Sequence, residues 1–367
     1  MKTKIFAPAV VALICAAHGG AATANPGGHI YANTVTGHNT ASIQYAIINN
    51  VINAFTNASF VPSNDTLTFR HDNKGTKNMY GRAPMYGPTS EYGEYGDDGT
   101  VFLTGRNGGD SDWPIVGNVW VAWQHFAEDV KFDHYDKLDT DYDLLMVGAT
   151  GDRVRVGDGM SEWGVFAGFV GGDQENAFMD IDEKGGYFGI YNGYTNNNLR
   201  ISMAADAGVI SNDVDTTYGT DEYTNIWVGV GINASYKIAL DDTFALLPNV
   251  YGGYTWVKSG NYTSESGDKI RNNNFNMFNV APGLRAVKHI ANGWFGTASG
   301  AYVMTFVDGG DVKTNGVSII DLDTSDYWEY GIALEKSIER LAIRGNINRH
   351  DGGRTGWNFG LNIKYNF

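Results

Sequence analysis

Sulfur chemistry is all but missing from this chain, whose one cysteine, Cys15, lies within the first twenty residues. Without a second thiol there is no intramolecular disulfide and no thiolate metal centre. Long apolar runs are missing too. No stretch reaches the roughly 18 to 20 residues of a membrane-crossing helix, which excludes a helical membrane protein. Proline is sparse at 8 residues, and 26 Lys and Arg face 41 Asp and Glu. The net charge of −15 offers no basic footprint for nucleic acid and points to acidic exposed loops. The eight histidines are scattered without His-x-x-x-His spacing, and Gly-x-Ser-x-Gly is absent. No metal, cofactor or catalytic residue is therefore expected, and the chain reads as a non-enzyme.

What the chain has in quantity is glycine (48), tyrosine (21), phenylalanine (18) and tryptophan (9). It opens on an export signal, residues 1–24: Lys2 and Lys4, an apolar run from Ile5 to Ala17, and Ala22-Thr23-Ala24 as a small-x-small cleavage site before Asn25. Cys15 sits inside that segment, so the mature chain is cysteine-free.

The last dozen residues carry the clearest pattern. From Trp357 onward, Phe359, Leu361, Ile363, Tyr365 and Phe367 alternate with Asn358, Gly360, Asn362, Lys364 and Asn366, a period of two with an aromatic at each end of the apolar row. Rings at both interfaces suit a strand that crosses a bilayer. From Val116 the theme repeats, with candidate strands at 118–127, 142–150, 163–171, 185–195, 199–210, 224–238, 243–257, 274–288, 294–307, 326–336, 340–349 and 356–367. Alternation is poor in the strands at 142–150 and 294–307. Short connections (196–198, 239–242, 289–293, 337–339) alternate with long polar ones (128–141, 211–223, 258–273, 308–325). Barrels of this kind keep short turns in the periplasm and long loops outside, which puts both ends of the unit in the periplasm. The reading is all-β: a single 12-stranded antiparallel transmembrane barrel over 116–367, preceded by one helix and a polar linker.

That helix is expected at 41–57. Ile43, Ile47, Val51 and Phe55 have helical spacing, Thr40 stands where an N-cap would, and Asn50 and its neighbours supply amides. The stretch from Ser63 to Asp112, rich in Tyr-Gly pairs, reads as a linker. A helix of about 17 residues spans roughly 25 Å and matches the bore of a twelve-strand ring, so it is expected inside the barrel. A periplasmic amphipathic helix packed on the linker is the competing reading. On the inner face, Arg200, Asp206, Lys237, Arg285, Glu329, Glu335, Arg344 and Lys364 are expected to line the pore, either gripping its contents or pairing across strands as a structural ladder.

The opening strand Asn118-Val-Trp-Val-Ala-Trp123, the Gly-rich alternating strands, the Phe-terminated last strand and the export signal together resemble the translocator domain of bacterial autotransporters, the type V secretion family, over 116–367. The resemblance implies a twelve-stranded outer-membrane barrel with a pore helix, its last strand recognised by the barrel-assembly machinery. It further implies contacts with membrane lipid and lipopolysaccharide, and a monomer. Almost no room is left for a passenger between Asn25 and the helix. A free-standing porin, or a surface adhesin acting through its external loops, is the alternative. Two smaller signals remain: the loop from Glu128 to Asp143, with seven carboxylates but without the Gly and Glu of a calcium loop, and Asn49-Asn50, a dipeptide at which some autotransporters cleave.

Overall fold

The computed structural model describes residues 26–59, 68–70, 94–95, 100–102 and 116–367, the last without 133–136, 218, 265–266, 268, 273, 310–311, 315–316 and 320–323. The leader expected at 1–24 lies outside the described residues. One helix, α1 (Pro26–Ser59), comes first. Within the stretch read as linker, β1 (Thr68–Arg70), β2 (Glu94–Tyr95) and β3 (Thr100–Phe102) form a small antiparallel sheet in the order β1-β3-β2, structure that the Tyr-Gly composition did not reveal.

The barrel follows as β4 (Val116–Val130), β5 (Leu138–Gly151), β7 (Gly159–Asn176), β8 (Met179–Asn196), β9 (Leu199–Thr216), β10 (Gly219–Tyr236), β12 (Phe244–Ser259), β15 (Phe275–Ala291), β16 (Trp294–Gly309), β19 (Tyr327–Ile338), β20 (Leu341–Gly352) and β21 (Arg354–Asn366). Short β6 (Val154–Val156) and β11 (Ile238–Ala239) extend the hairpins at one end. At the other end β13 (Tyr262–Thr263), β14 (Lys269–Asn272), β17 (Val312–Thr314) and β18 (Val317–Ile319) make a separate four-stranded sheet that touches α1. Each barrel strand pairs with its sequence neighbours, and β21 pairs with β4, so the twelve-stranded antiparallel ring is closed. Phe367 N–H donates to Gly117 O at 3.1 Å and completes the seam.

Outward positions meet hydrocarbon and are apolar. Ile226, Val228, Val230 and Ile232 on β10, Trp328, Tyr330, Ile332 and Leu334 on β19, and Phe359, Leu361, Ile363, Tyr365 and Phe367 at the C-terminus are all exposed on that face. The two-residue turn Asn292-Gly293, both residues at positive φ (50° and 73°), closes β15 to β16 in the hand that strand twist favours. In the turn at 240–243, the N–H and hydroxyl of Thr243 donate to Asp241 at 2.6 and 2.8 Å and hold that carboxyl below its usual pKa.

Two expectations change. The connection 211–223 is not a loop: β9 runs on to Thr216 and β10 starts at Gly219, as β7 and β8 likewise run to Asn176 and from Met179. The reason is a swap of polarity between the faces. In β8, Met179 and Ile181 point inward and Asp180 and Asp182 outward, whereas lower down Phe188 and Ile190 are the outward ones. Above the hydrocarbon the wall is built like a soluble barrel, with an apolar interior of Val130, Phe132, Leu138, Met179, Ile181, Val214 and Tyr223 around Ala32 and Val35 of α1. Its outer surface carries directly opposed carboxylates, Asp141↔Asp173↔Asp182↔Asp213↔Glu222. The seven acids of 128–143 are correspondingly dispersed. Glu128 turns into the lumen, Asp129, Asp139, Asp141 and Asp143 turn outward, and Asp133 and Asp136 fall outside the described residues.

The weak alternation at 142–150 has its cause in the lumen. There Tyr142, Leu144 and Met146 join Trp120, Phe126, Phe166, Tyr187, Tyr191 and Trp227 in an internal aromatic cluster, so both faces of β5 are apolar. Rings lie over inward glycines. A Cβ at Gly148 would stand 2.3 Å from the Trp120 indole, and one at Gly208 2.1 Å from Trp227, which is wholly buried. Gly208→Val should therefore destabilise the folded barrel by about 1–3 kcal/mol, read as a lower urea midpoint for the heat-modifiable gel band.

Candidate functional site

The lumen is occupied by α1. At about 1.5 Å per residue its 34 residues span roughly 51 Å, twice the expected length, and it begins at Pro26, not at 41. Thr40 is accordingly not a cap: its hydroxyl donates to Thr36 O at 2.7 Å, one turn back within the helix. The missed half contains Gly27, Gly28, Gly37 and a run of Thr, Asn and His, all weak helix formers. Enclosure overrides that propensity, because from Ala32 to Ile48 every side chain is buried. Ile43, Ile47 and Val51 are buried together with Tyr45, Ile48 and Ile52, which spacing had not singled out. The side chain of Phe55 lies outside the described residues.

The helix runs off-axis, against β8, β9, β10, β12 and β15. Two inward glycines make the seat. A Cβ at Gly229 would fall 1.9 Å from Gln44 Nε2, and one at Gly231 2.5 Å from Ile48 Cγ2. Polar side chains along one stretch of α1 each find a wall partner. Thr36 meets the Tyr223 hydroxyl at 3.0 Å, and His38 Nε2 meets Thr324 Oγ1 at 2.9 Å between the rings of Phe132 and Phe275. Asn39 donates to Glu183, Asn225 donates to Thr40 Oγ1 at 3.0 Å, and Gln44 Nε2 donates to Asp206 Oδ1 at 2.8 Å. These contacts set the direction: the N-terminal half of α1 lies at the long-loop mouth and the C-terminal half at the short-turn end.

All eight charged residues read as pore-lining lie on inward positions, and they divide into groups. Asp206 bonds to the helix through Gln44. Arg200 pairs with Glu162 at 3.1 Å, and Arg153 reaches the same carboxylate at 2.9 Å. Arg344 and Glu335, opposite each other on β20 and β19, lie 3.7 Å apart. Glu329 faces His350 at 3.5 Å, and His350 in turn contacts Glu128 at 2.7 Å, which Arg354 also reaches at 3.0 Å. Lys237 is half-buried at the short-turn rim, and Lys364 faces inward on β21. Arg285 lines a cavity of about 120 Å³ left between Asn49 and Asn50 of α1 and the wall of β16, β19, β20, β21 and β4. That space is polar and has room for several waters. Pairing within the wall thus accounts for Arg200, Glu329, Glu335 and Arg344, while the contacts to the helix come largely from residues that composition did not mark: Glu183, Tyr223, Asn225, Thr255 and Thr324. A usable signal was present in Gly229 and Gly231, two bare positions in succession on the inner face of β10.

A closed antiparallel ring with an apolar outer belt, a polar lumen and a helix threaded through it defines an outer-membrane transport barrel. The sequence profile of the autotransporter β-domain matches residues 115–365, and the chain belongs to that family. No protein of curated function matches it in sequence. Among solved structures it is similar to the transport unit of the autotransporter AIDA-I from Escherichia coli (TM-score 0.60, 15% identity, 71% of this chain and 93% of that one). It is also similar to the β-domain of the Bordetella autotransporter BrkA (0.57, 13%, 68% and 100%) and to the translocator domain of NalP from Neisseria meningitidis (0.53, 8%, 68% and 88%). The chain is an autotransporter-type barrel of the Gram-negative outer membrane.

Filling the seat should release the helix without unfolding the wall. Gly229→Leu is expected to keep heat-modifiable mobility yet to raise proteinase K cutting within residues 31–52 by about tenfold or more, the scale of an overpacked contact.

Proposed function

We propose that this barrel is a translocator that retains its own helix as a plug, with the N-terminal half of α1 at the external mouth. The observation that carries this reading is that α1 has no Asp, Glu, Lys or Arg in 34 residues and is buried by the wall through most of its length. An uncharged helix can rest in a lumen whose own charges are largely paired without leaving an ion unsatisfied. A porin would need an open bore, whereas here α1 takes up the lumen and leaves a cavity of about 120 Å³ beside Asn49 and Asn50. The barrel carries no chemistry of its own in this reading, and α1 continues unbroken through Asn49-Asn50. Export uses the leader, and the chain works as a monomer. The outward apolar belt meets lipid and, at its outer edge, lipopolysaccharide, while the row Phe359, Leu361, Ile363, Tyr365 and Phe367 is read by the assembly machinery.

Two experiments test these points. In planar bilayers the purified barrel should stay near its closed level, while deletion of residues 31–52 should give a sustained porin-like conductance. Equal currents from both proteins would overturn the plug. Removal of Phe367, or Tyr365→Asp with Phe367→Asp, should leave unfolded chain in the periplasm, seen as loss of the heat-modifiable band. Normal assembly of both variants would remove the role given to that row.

A further inference from the structure

Gln44 sits at an unusual point of the lumen wall. It is 1% exposed and lies over the bare backbone of Gly229, flanked by Asp206 on β9 and Thr255 on β12. Both ends of its carboxamide are engaged: Nε2 donates to Asp206 Oδ1 at 2.8 Å, and Oε1 accepts from the Thr255 hydroxyl. The remaining Asp206 oxygen accepts from Trp227 Nε1 at 3.0 Å, so the wall itself holds one side of the acid. An acceptor on one side, a donor on the other and a missing side chain between them match a primary amide and little else. A carboxylate in place of Gln44 would face Asp206, and an apolar side chain would leave Asp206 and Thr255 unsatisfied. One turn further on, Ile48 drops against Gly231, so the two contacts fix both rotation and height.

We infer that Asp206, Thr255 and Gly229 form a binding site for a single side-chain carboxamide, and that Gln44, by filling it, sets the register at which α1 stops in the lumen. The inference rests on the plug reading and adds what halts the helix. Here the wall selects for an amide with a branched residue four positions later, whatever the rest of the segment carries.

The test uses full-length chain in a Cys15→Ala background with Thr40→Cys and Asn225→Cys, a helix–wall pair in contact at 3.0 Å one turn before the seat, whose oxidation reports the register. Rapid disulfide formation in the folded protein is the starting result, and its absence overturns the plug itself. Gln44→Glu should slow cross-linking about tenfold or more, since a buried carboxylate then faces Asp206. Gln44→Leu should slow it as well. Exchanging the two groups, Gln44→Glu with Asp206→Asn, restores one donor and one acceptor and should recover most of the rate, whereas loss of packing alone would not be reversed by the swap. Heat-modifiable mobility confirms a folded barrel in each case. If Gln44→Glu cross-links as fast as the parent, or if the exchange fails to recover the rate in a folded barrel, the amide site is wrong and the plug stands.

Discussion

In hydrocarbon no water satisfies a sheet edge, so each strand that enters the membrane must find a partner on both sides. The pairing of β21 with β4, from Arg354↔Val130 to Asn366↔Asn118, removes the last edge, and the rest of the molecule follows from it. Closure with twelve strands fixes a backbone ring roughly 24 Å across, and inward side chains reduce that to about the width of one helix. Large rings on β4 to β10 fill part of this space. The helix is thereby displaced toward β9, β10 and β12, where glycines leave a groove, and a cavity remains against the opposite wall.

The outer face was legible because lipid imposes one rule on it, an apolar residue at every second position. Most of the strands, the closing strand above all, could be located from that rule, while those at 142–150 and 294–307 followed it poorly. Two features obeyed other rules. The first half of α1 looks like loop, since Gly27, Gly28, Thr34, Thr36 and Gly37 disfavour a helix in water, and only the surrounding wall reverses the balance. The upper parts of β7 to β10 look like loop because their apolar residues change face, which breaks the pattern being followed although the period of two persists. Partners in the lumen were hidden for a different reason. Gln44 and Asp206 are 162 positions apart, and nothing local to either announces the other.

Wall charges are mostly matched within the wall. Glu162 with Arg200 and Arg153, Glu335 with Arg344, and Glu128 with His350 and Arg354 form their contacts without the helix. Barrel and helix are therefore coupled through a few hydrogen bonds, two of them to the acids Glu183 and Asp206, and through packing at Ile43, Ile47 and Ile48. Removal of the helix would strand few ions, so the wall can keep its shape while the lumen changes contents.

The change of polarity along β8 also bears on where the barrel rests. Phe188 and Ile190 look outward below, and Asp180 and Asp182 above, with Lys184 between. Sinking by one pair of residues would carry carboxylates toward the acyl chains, and rising by the same amount would lift aromatic surface into water; a charge near the midplane costs up to about 2–4 kcal/mol. With the same boundary repeated on neighbouring strands, these penalties add around half of the circumference. The barrel is held at one depth, as a float is held by its waterline, and the external mouth stands at a set height above the membrane.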